Sequence, residues 1–206
     1  KSFGRKILYF DSLSSTMDMA SQLALKGLPE GTIVIAETQT KGRGRLGRLW
    51  HSPKYKGLYF SLILKPKIPV NKAALITLLA GVSISEAIRE SSLIETQIKW
   101  PNDIIFNNKK LGGILTEIQA EVDEVNFMII GIGLNINNDR KTLVEGAVSL
   151  KEASGSQELS RALILRNILK EFESNYYHLQ QKGPKSMLEK WRHLSVTLGH
   201  RVRISS

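Results

Sequence analysis

Four runs with strand character crowd between Gln97 and Ile132: Gln97 to Trp100, Asp103 to Phe106, Leu111 to Ala120 and Val125 to Ile132. The gaps between them hold only Pro101-Asn102, Asn107 to Lys110 and Glu121 to Glu124. A parallel neighbour needs a crossover of roughly a dozen residues or more, so these runs must return as antiparallel hairpins. Asn107-Asn108 and Val122 to Glu124 are the expected turns, asparagine being one of the few residues that tolerates positive φ. Gly112-Gly113 is expected to interrupt the third run.

The flanking sequence adds helices. Lys6 to Phe10 reads as a short strand, Thr32 to Thr38 as a β-branched strand and Leu58 to Leu64 as an apolar one. Ser14 or Ser15 caps a helix running to about Lys26, with Gly27 as its stop. Asn71 to about Glu90 reads as a helix with Leu75, Leu78, Leu79 and Val82 on one face. A polar loop runs from Asn137 to about Gly146. Ser160 to Lys182 and Ser186 to Leu194 are further helices, and Arg201 to Ile204 looks like a strand. Grouped antiparallel strands with inserted helices predict an α+β fold, its mixed and mostly antiparallel sheet flanked by helices.

The chain has 206 residues and a formal charge of +10. That excess points to an anionic partner: nucleic acid, a phosphorylated ligand or an acidic protein. No cysteine is present, which excludes disulfides, thiol catalysis and cysteine-held zinc and suits the cytosol. The longest apolar run, Ala73 to Ile84, reads as too short to span a bilayer. No signal peptide opens the chain, and Lys1 is not an initiator Met, so the sequence reads as a fragment or a processed chain.

From Lys41 to Ser85 there is no Asp or Glu, while Lys and Arg occur nine times. The densest part is KGRGRLGRLW, Lys41 to Trp50. Gly42, Gly44 and Gly47 match the dinucleotide fingerprint by spacing, but no helix opens after Gly47 and the next acid is Glu86. No G-K-[ST] is present for a Walker loop. A nucleic-acid tract is the second reading, although no basic recognition helix or aromatic platform accompanies it. The first reading is an anion clamp. Glycines let backbone approach a ligand, arginines supply forks for phosphate or carboxylate, and like charges keep the empty loop mobile. A plain surface loop ranks third.

Other constellations are weaker singly. In Lys99-Trp100-Pro101-Asn102-Asp103, Pro101 holds Trp100 extended, and Asn102 and Asp103 order a turn. Lys110-Leu111-Gly112-Gly113-Ile114 suits close approach of a ligand to backbone, and Lys110 alone reads as an edge lysine. GIGLNIN, Gly131 to Asn137, ends an apolar strand with a bulge, or sets the Asn135 amide against a ring showing both donor and acceptor. Ser15-Thr16 is a helix cap or a grip on a small polar ligand. His51, His178, His193 and His200 fit no metal-ligand spacing and are expected at the surface or in packing, so no metal site is assigned. Cations, amides and one carboxylate suit substrates that bring their own nucleophile.

Taken in order, Ser15-Thr16, Glu37-Thr38-Gln39, GRGRLGRLW, KWPNDI, KLGGIL and GIGLNIN make the chain from Phe3 to about Leu194 resemble the catalytic domain of biotin–protein ligases. The resemblance implies a sheet related to class II aminoacyl-tRNA synthetases, with residues 1–195 as the catalytic domain and 196–206 as the start of a small SH3-like β-barrel. It implies biotin and ATP as substrates, with magnesium held mainly through phosphates, and a cytoplasmic enzyme. Biotin's carboxylate attacks the α-phosphorus to give biotinyl-5′-AMP and pyrophosphate, and a lysine of a biotin carboxyl carrier domain then takes the acyl group. It further implies that Ser15, Thr16, Gln39, Gly113 and Leu115 hold biotin, and that Gly42, Arg43, Gly44 and Arg45 close over it. Arg45, Arg48, Trp50, Asn102, Lys110 and Asn135 take the nucleotide, and Lys110, Arg45 and Asp103 serve catalysis. A homodimer is a further implied partner, and DNA would be one only if a helix-turn-helix domain preceded Lys1. Met17 stands where the family often has Asn, so an amide contact there is not carried over. The Arg-Arg-x-Ser-Gly-Gly-Gly run of lipoate ligases is absent. The runner-up function is a nucleic-acid-binding module built on the Gly-Arg loop.

Overall fold

The structure is a computed structural model that describes residues 3–121 and 124–201. The strands are β1 (Ile7–Phe10), β2 (Ile33–Ala36), β3 (Leu58–Leu64), β4 (Gln97–Lys99), β5 (Asp103–Phe106), β6 (Lys109–Glu121) and β7 (Glu124–Leu134). The helices are α1 (Thr16–Leu25), α2 (Ala74–Ser92), the short α3 (Leu150–Ala153), α4 (Arg161–Lys182) and α5 (Lys185–Leu194). One sheet runs in the order β1-β2-β3-β7-β6-β5-β4. Only β1 and β2 pair in parallel; the other neighbours are antiparallel.

The sheet is covered on both faces. Residues alternate sides along a strand, and β3 shows the result: Leu58, Phe60, Leu62 and Leu64 join the large core with α2, α4 and α5, while Ile63 joins a smaller one under α1. Met17, Ala20 and Ala24 of α1 cover Val34, Ile63 and Ile129 there. Ser15 caps α1, its hydroxyl accepting from the Asp18 N–H at 3.3 Å. Ser160 caps α4 in the same way through Leu163 N, at 3.2 Å.

Several local expectations need correction. Asn107 and Asn108 do turn, with φ of 47° and 60°. Gly112 and Gly113 do not interrupt β6, which runs on through them, because β7 pairs with it throughout this stretch. The irregularity is a bulge: Ile104 faces Gly112 and Ile105 faces Lys110, leaving Leu111 unopposed. β7 likewise continues through Gly131 and Gly133 to Leu134 without a bulge there. The Trp100–Pro101 peptide is cis. The helical stretch Val70–Ser92 is longer than its apolar run suggested and is long and apolar enough to cross a membrane, yet most of it is buried against the sheet and α4. The expected turn at Val122-Asp123 and the strand beyond Arg201 lie outside the described residues.

The β1–β2 edge is tied to α4 by a buried ion pair. Glu37, 5% exposed, accepts from Arg161 at 2.7 Å and from the Tyr9 hydroxyl at 2.8 Å. Burial pushes the Glu37 carboxyl up, but the bonds from Arg161 and Tyr9 outweigh it and hold the group below its ordinary 4.5. A depressed carboxylate stabilises the fold fully above its unfolded pKa and loses that contribution as pH falls through the folded one. The contribution is therefore complete above about pH 4.5 and disappears at more acid pH. Arg161→Met leaves a buried charge without its partner and is expected to cost about 3 kcal/mol. Urea melts at pH 7 and pH 3.5 check this: the variant's deficit should shrink at the lower pH.

Candidate active site

Two glycine motifs far apart in sequence meet in register. Gly113 of β6 faces Gly133 of β7, and Leu115 faces Gly131. Gly131 and Gly133 lie two apart and so share a face, as do Gly113 and Leu115. On the α1 side of the sheet this leaves a strip of bare backbone. Larger neighbours occupy the space: a Cβ on Gly133 would come within 2.5 Å of the Trp50 indole, and one on Gly131 would meet the Met17 thioether. Over this floor lies a cavity of about 440 Å³, walled by the start of α1, the 41–50 loop, the β4–β5 turn, β6, β7 and residues 142–147.

Every site residue expected from sequence lines this cavity except Gly42: Ser15, Thr16, Gln39, Arg43, Gly44, Arg45, Arg48, Trp50, Asn102, Asp103, Lys110, Gly113, Leu115 and Asn135. Gly42 is buried behind the wall, where a Cβ would meet the Trp50 carbonyl at 2.9 Å, so its part is to let the loop fold back. His51, expected at the surface or in packing, is exposed and also borders the cavity.

One end of the cavity is polar and internally braced. Gln39 Oε1 accepts from the Thr16 amide at 2.8 Å and from its hydroxyl at 3.1 Å. The Ser61 hydroxyl donates to Thr16 Oγ1 at 2.9 Å, and Gln39 Nε2 donates to Ser52 Oγ at 3.3 Å. Ser15 Oγ accepts from Asp18 N and from Arg43, which leaves its own hydrogen for an acceptor in the cavity. Such mutually fixed groups recognise a small polar ring at little ordering cost.

The 41–50 loop is a hairpin. Trp50 N donates to Gly42 O at 2.9 Å and Gly44 N to Arg48 O at 2.7 Å, with a 3-10 turn at Arg45–Gly47 forming the tip. Like-charge repulsion is answered by two carboxylates. Arg43 reaches Asp18 at 2.6 Å and Glu117 at 2.9 Å, with a second bond to Glu117 from Nε at 3.2 Å. Arg43 is thus a pin joining loop, α1 and β6, rather than the free clamp expected of it. Arg45 and Arg48 are exposed and make no ion pair among the described residues. Lys110 points its ammonium at Asp103, 2.7 Å away, and lies 5.6 Å from the centre of the Trp50 ring. Four cations, Arg43, Arg45, Arg48 and Lys110, and one carboxylate, Asp103, therefore line the same cavity.

The remaining amides are partly committed. Asn102 Nδ2 donates to Ile114 O at 2.6 Å and so fastens the β4–β5 turn to β6. Asn135 Nδ2 donates one N–H to Val148 O at 3.2 Å, which leaves its second N–H and its carbonyl for a ligand. Asp18, Glu117 and Asn138 were missed. Glu117 carried a signal: it continues the alternation Gly113, Leu115 on the cavity face and offers charge opposite to the loop. Asn138, which also lines the cavity, carried none.

The Arg43 pin predicts a graded loosening. Glu117→Gln keeps the shape and removes the charge of a half-exposed pair, worth about 1 kcal/mol. Amide exchange at Gly44 and Trp50 in the free protein should quicken about fivefold, and unchanged exchange would show that the hairpin holds itself.

The sequence matches the Biotin/lipoate A/B protein ligase family over residues 9–135. It is 43% identical over 204 residues to the bifunctional ligase/repressor BirA of Bacillus subtilis, covering 97% of this chain and 62% of that protein. It is 29% identical to the biotin--[acetyl-CoA-carboxylase] ligase of Mycobacterium tuberculosis, covering 93% of this chain and 71% of that one. The fold superposes on the biotin protein ligase of Aquifex aeolicus, solved in complex with biotin and ATP, with a TM-score of 0.82 and 32% identity over 95% of this chain and 81% of that one. The chain thus spans less than two thirds of the Bacillus relative's length. From a match over more than half its length, with the motifs that resemble that family gathered around one cavity, the chain belongs to the Biotin/lipoate A/B protein ligase family.

Proposed function

We propose that this chain is the catalytic domain of an ATP-dependent biotin–protein ligase. The observation that carries the reading is the convergence of Lys110, Arg45 and Arg48 on a glycine-floored cavity with a braced polar end. A relative and a solved neighbour named as biotin ligases support it. The Ser15, Thr16 and Gln39 end, with backbone at Gly113 and Leu115, suits the ureido ring of biotin. The cationic middle suits a carboxylate and phosphates, and Trp50 with Asn135 suits an adenine ring.

The chemistry asks little of the protein beyond charge and position. A biotin carboxylate oxygen attacks the α-phosphorus, the bond to the bridging oxygen breaks, and pyrophosphate leaves. The nucleophile is already an anion, so no general base is required; Lys110 neutralises the two approaching anions. The amine of a carrier lysine then attacks the acyl carbon, loses a proton and expels AMP. Asp103, 2.7 Å from Lys110, is placed to orient that amine and take its proton once Lys110 turns to the ligand. Magnesium would be carried by the phosphates, where it would neutralise the leaving group. The acceptor is a biotin carboxyl carrier domain, the setting is the cytoplasm, and residues beyond 195 open a small β-barrel. A homodimer fits the family resemblance.

Incubation with biotin and ATP should release pyrophosphate and raise the melting temperature, and neither effect should appear if the cavity serves another ligand. Lys110→Ala should slow adenylation by about 2–4 kcal/mol in the barrier while biotin binding changes little, read by single-turnover ATP consumption at saturating biotin. Arg45→Gly should release preformed biotinyl-AMP about ten- to a hundredfold faster, through loss of a charge-assisted bond. Labelling of a bystander protein should rise with it, and an unchanged off-rate would remove Arg45 from the latch.

A further inference from the structure

Ser61 belongs to none of the sequence motifs and does not line the cavity. It is fully buried in β3, paired with Val34 on one side and with Gly131 of the glycine floor on the other. It shares a strand face with Ile63 and so points toward α1. There its hydroxyl meets that of Thr16, the first residue of the helix, at 2.9 Å. The direction of hydrogen bonding through this contact is forced from its far end. The Thr16 backbone N–H can only donate, so the Gln39 atom 2.8 Å from it is the carbonyl oxygen. That oxygen can only accept, so the Thr16 hydroxyl, 3.1 Å away, spends its one hydrogen there. Thr16 Oγ1 then has only lone pairs to offer, and Ser61 is its donor. Gln39 Oε1 is filled twice over by Thr16. One N–H of Gln39 Nε2 goes to Ser52 Oγ at 3.3 Å, and the second has no partner among the described residues.

We propose that Ser61 is a positioning residue for biotin binding: its donated hydrogen holds the Thr16 hydroxyl on Gln39 Oε1, so that Gln39 offers an N–H, and not its oxygen, to the ligand. This rests on the biotin ligase function proposed above. Hydrogen bonds that run one way from a buried serine polarise one another along the chain. At its end the free Gln39 N–H acts with the unspent hydrogen of Ser15, and both residues line the cavity. Two donors suit one carbonyl oxygen, which has two lone pairs, and the ureido group of biotin carries such an oxygen. A ligand with hydrogens in that place would set donor against donor. Without Ser61 a buried lone pair of Thr16 loses its donor. The hydroxyl is then free to turn, and the Gln39 carbonyl keeps only its bond from the Thr16 amide.

Titration calorimetry with biotin and with 2-iminobiotin, which carries N–H bonds in place of the ureido oxygen, reads this preference at neutral pH. The wild type should favour biotin. Ser61→Ala removes only the hydroxyl and should narrow the preference about three- to tenfold, the worth of one neutral hydrogen bond. Binding of a non-hydrolysable ATP analogue should stay unchanged, which a general loosening of the fold would not allow. Thr16→Val and the double variant complete a cycle. Thr16→Val already breaks the chain, so adding Ser61→Ala to it should narrow the preference no further. An equal effect of Ser61→Ala in both backgrounds, or an unchanged preference in Ser61→Ala alone, would overturn the proposal. Absence of binding of either ligand to the wild type would instead count against the biotin ligase function. The role of Ser61 is then decided in the free protein by NMR. Cross-relaxation from the Gln39 side-chain N–H to the Ser52 methylene should be clear in the wild type and weaker in Ser61→Ala, and equal intensity in the two would overturn the proposal.

Discussion

The cavity exists because two paired strands carry no side chains where they pass beneath it. Gly113 against Gly133, with Gly131 beside them, turns the middle of a seven-stranded sheet into a bare backbone floor. Ordinary side chains there would fill the space that Trp50 and Met17 now roof and border. Everything else about the site follows from that vacancy. The loop can fold inward, Lys110 can reach across to Asp103, and the start of α1 can present its hydroxyls from the side. The two faces of the sheet divide the work: the face under α2, α4 and α5 is packed with aliphatic side chains, and the face under α1 holds a small core at one end and the cavity at the other.

Charge sets the second constraint. The 41–50 segment would repel itself, and the fold answers with carboxylates outside it, Asp18 and Glu117, which take Arg43 alone. Arg45 and Arg48 remain exposed at the tip. Arg43 holds the hairpin, and in the proposed function Arg45 and Arg48 are left to meet the ligand. The same logic applies to Lys110, which is held by Asp103 and lies beside an indole ring. In the proposed function, a ligand anion that displaced Asp103 would free that carboxylate for the second half-reaction, so that one ion pair would link the two chemical steps in order.

Much of this was legible before the fold was known, and the reasons are local. β3 and β5 were read with their observed bounds because their apolar runs stop at strong turn residues, and a serine at 14 or 15 announced α1 by its capping chemistry. The site residues were legible as a set because the motifs carry them, and the sheet then gathered all but Gly42. What stayed hidden was pairwise. That Gly112-Gly113 would sit inside a continuous strand depended on β7 lying beside it. That Arg43 would be consumed by two acids depended on α1 and β6 approaching the loop from opposite sides. That Asn135 would donate to the Val148 carbonyl depended on a contact no spacing rule encodes.

The central claim is that the glycine floor shapes one cavity for biotin and for ATP. Gly133→Ala tests it most directly, because its added methyl would fall within 2.5 Å of the Trp50 indole. Titration calorimetry with biotin, then with a non-hydrolysable ATP analogue, should show wild-type binding of both. In the variant the account predicts biotin binding near wild type, nucleotide binding at least tenfold weaker and a melting temperature little changed. Equal nucleotide affinity in the two proteins, or no binding of biotin to the wild type, would contradict it.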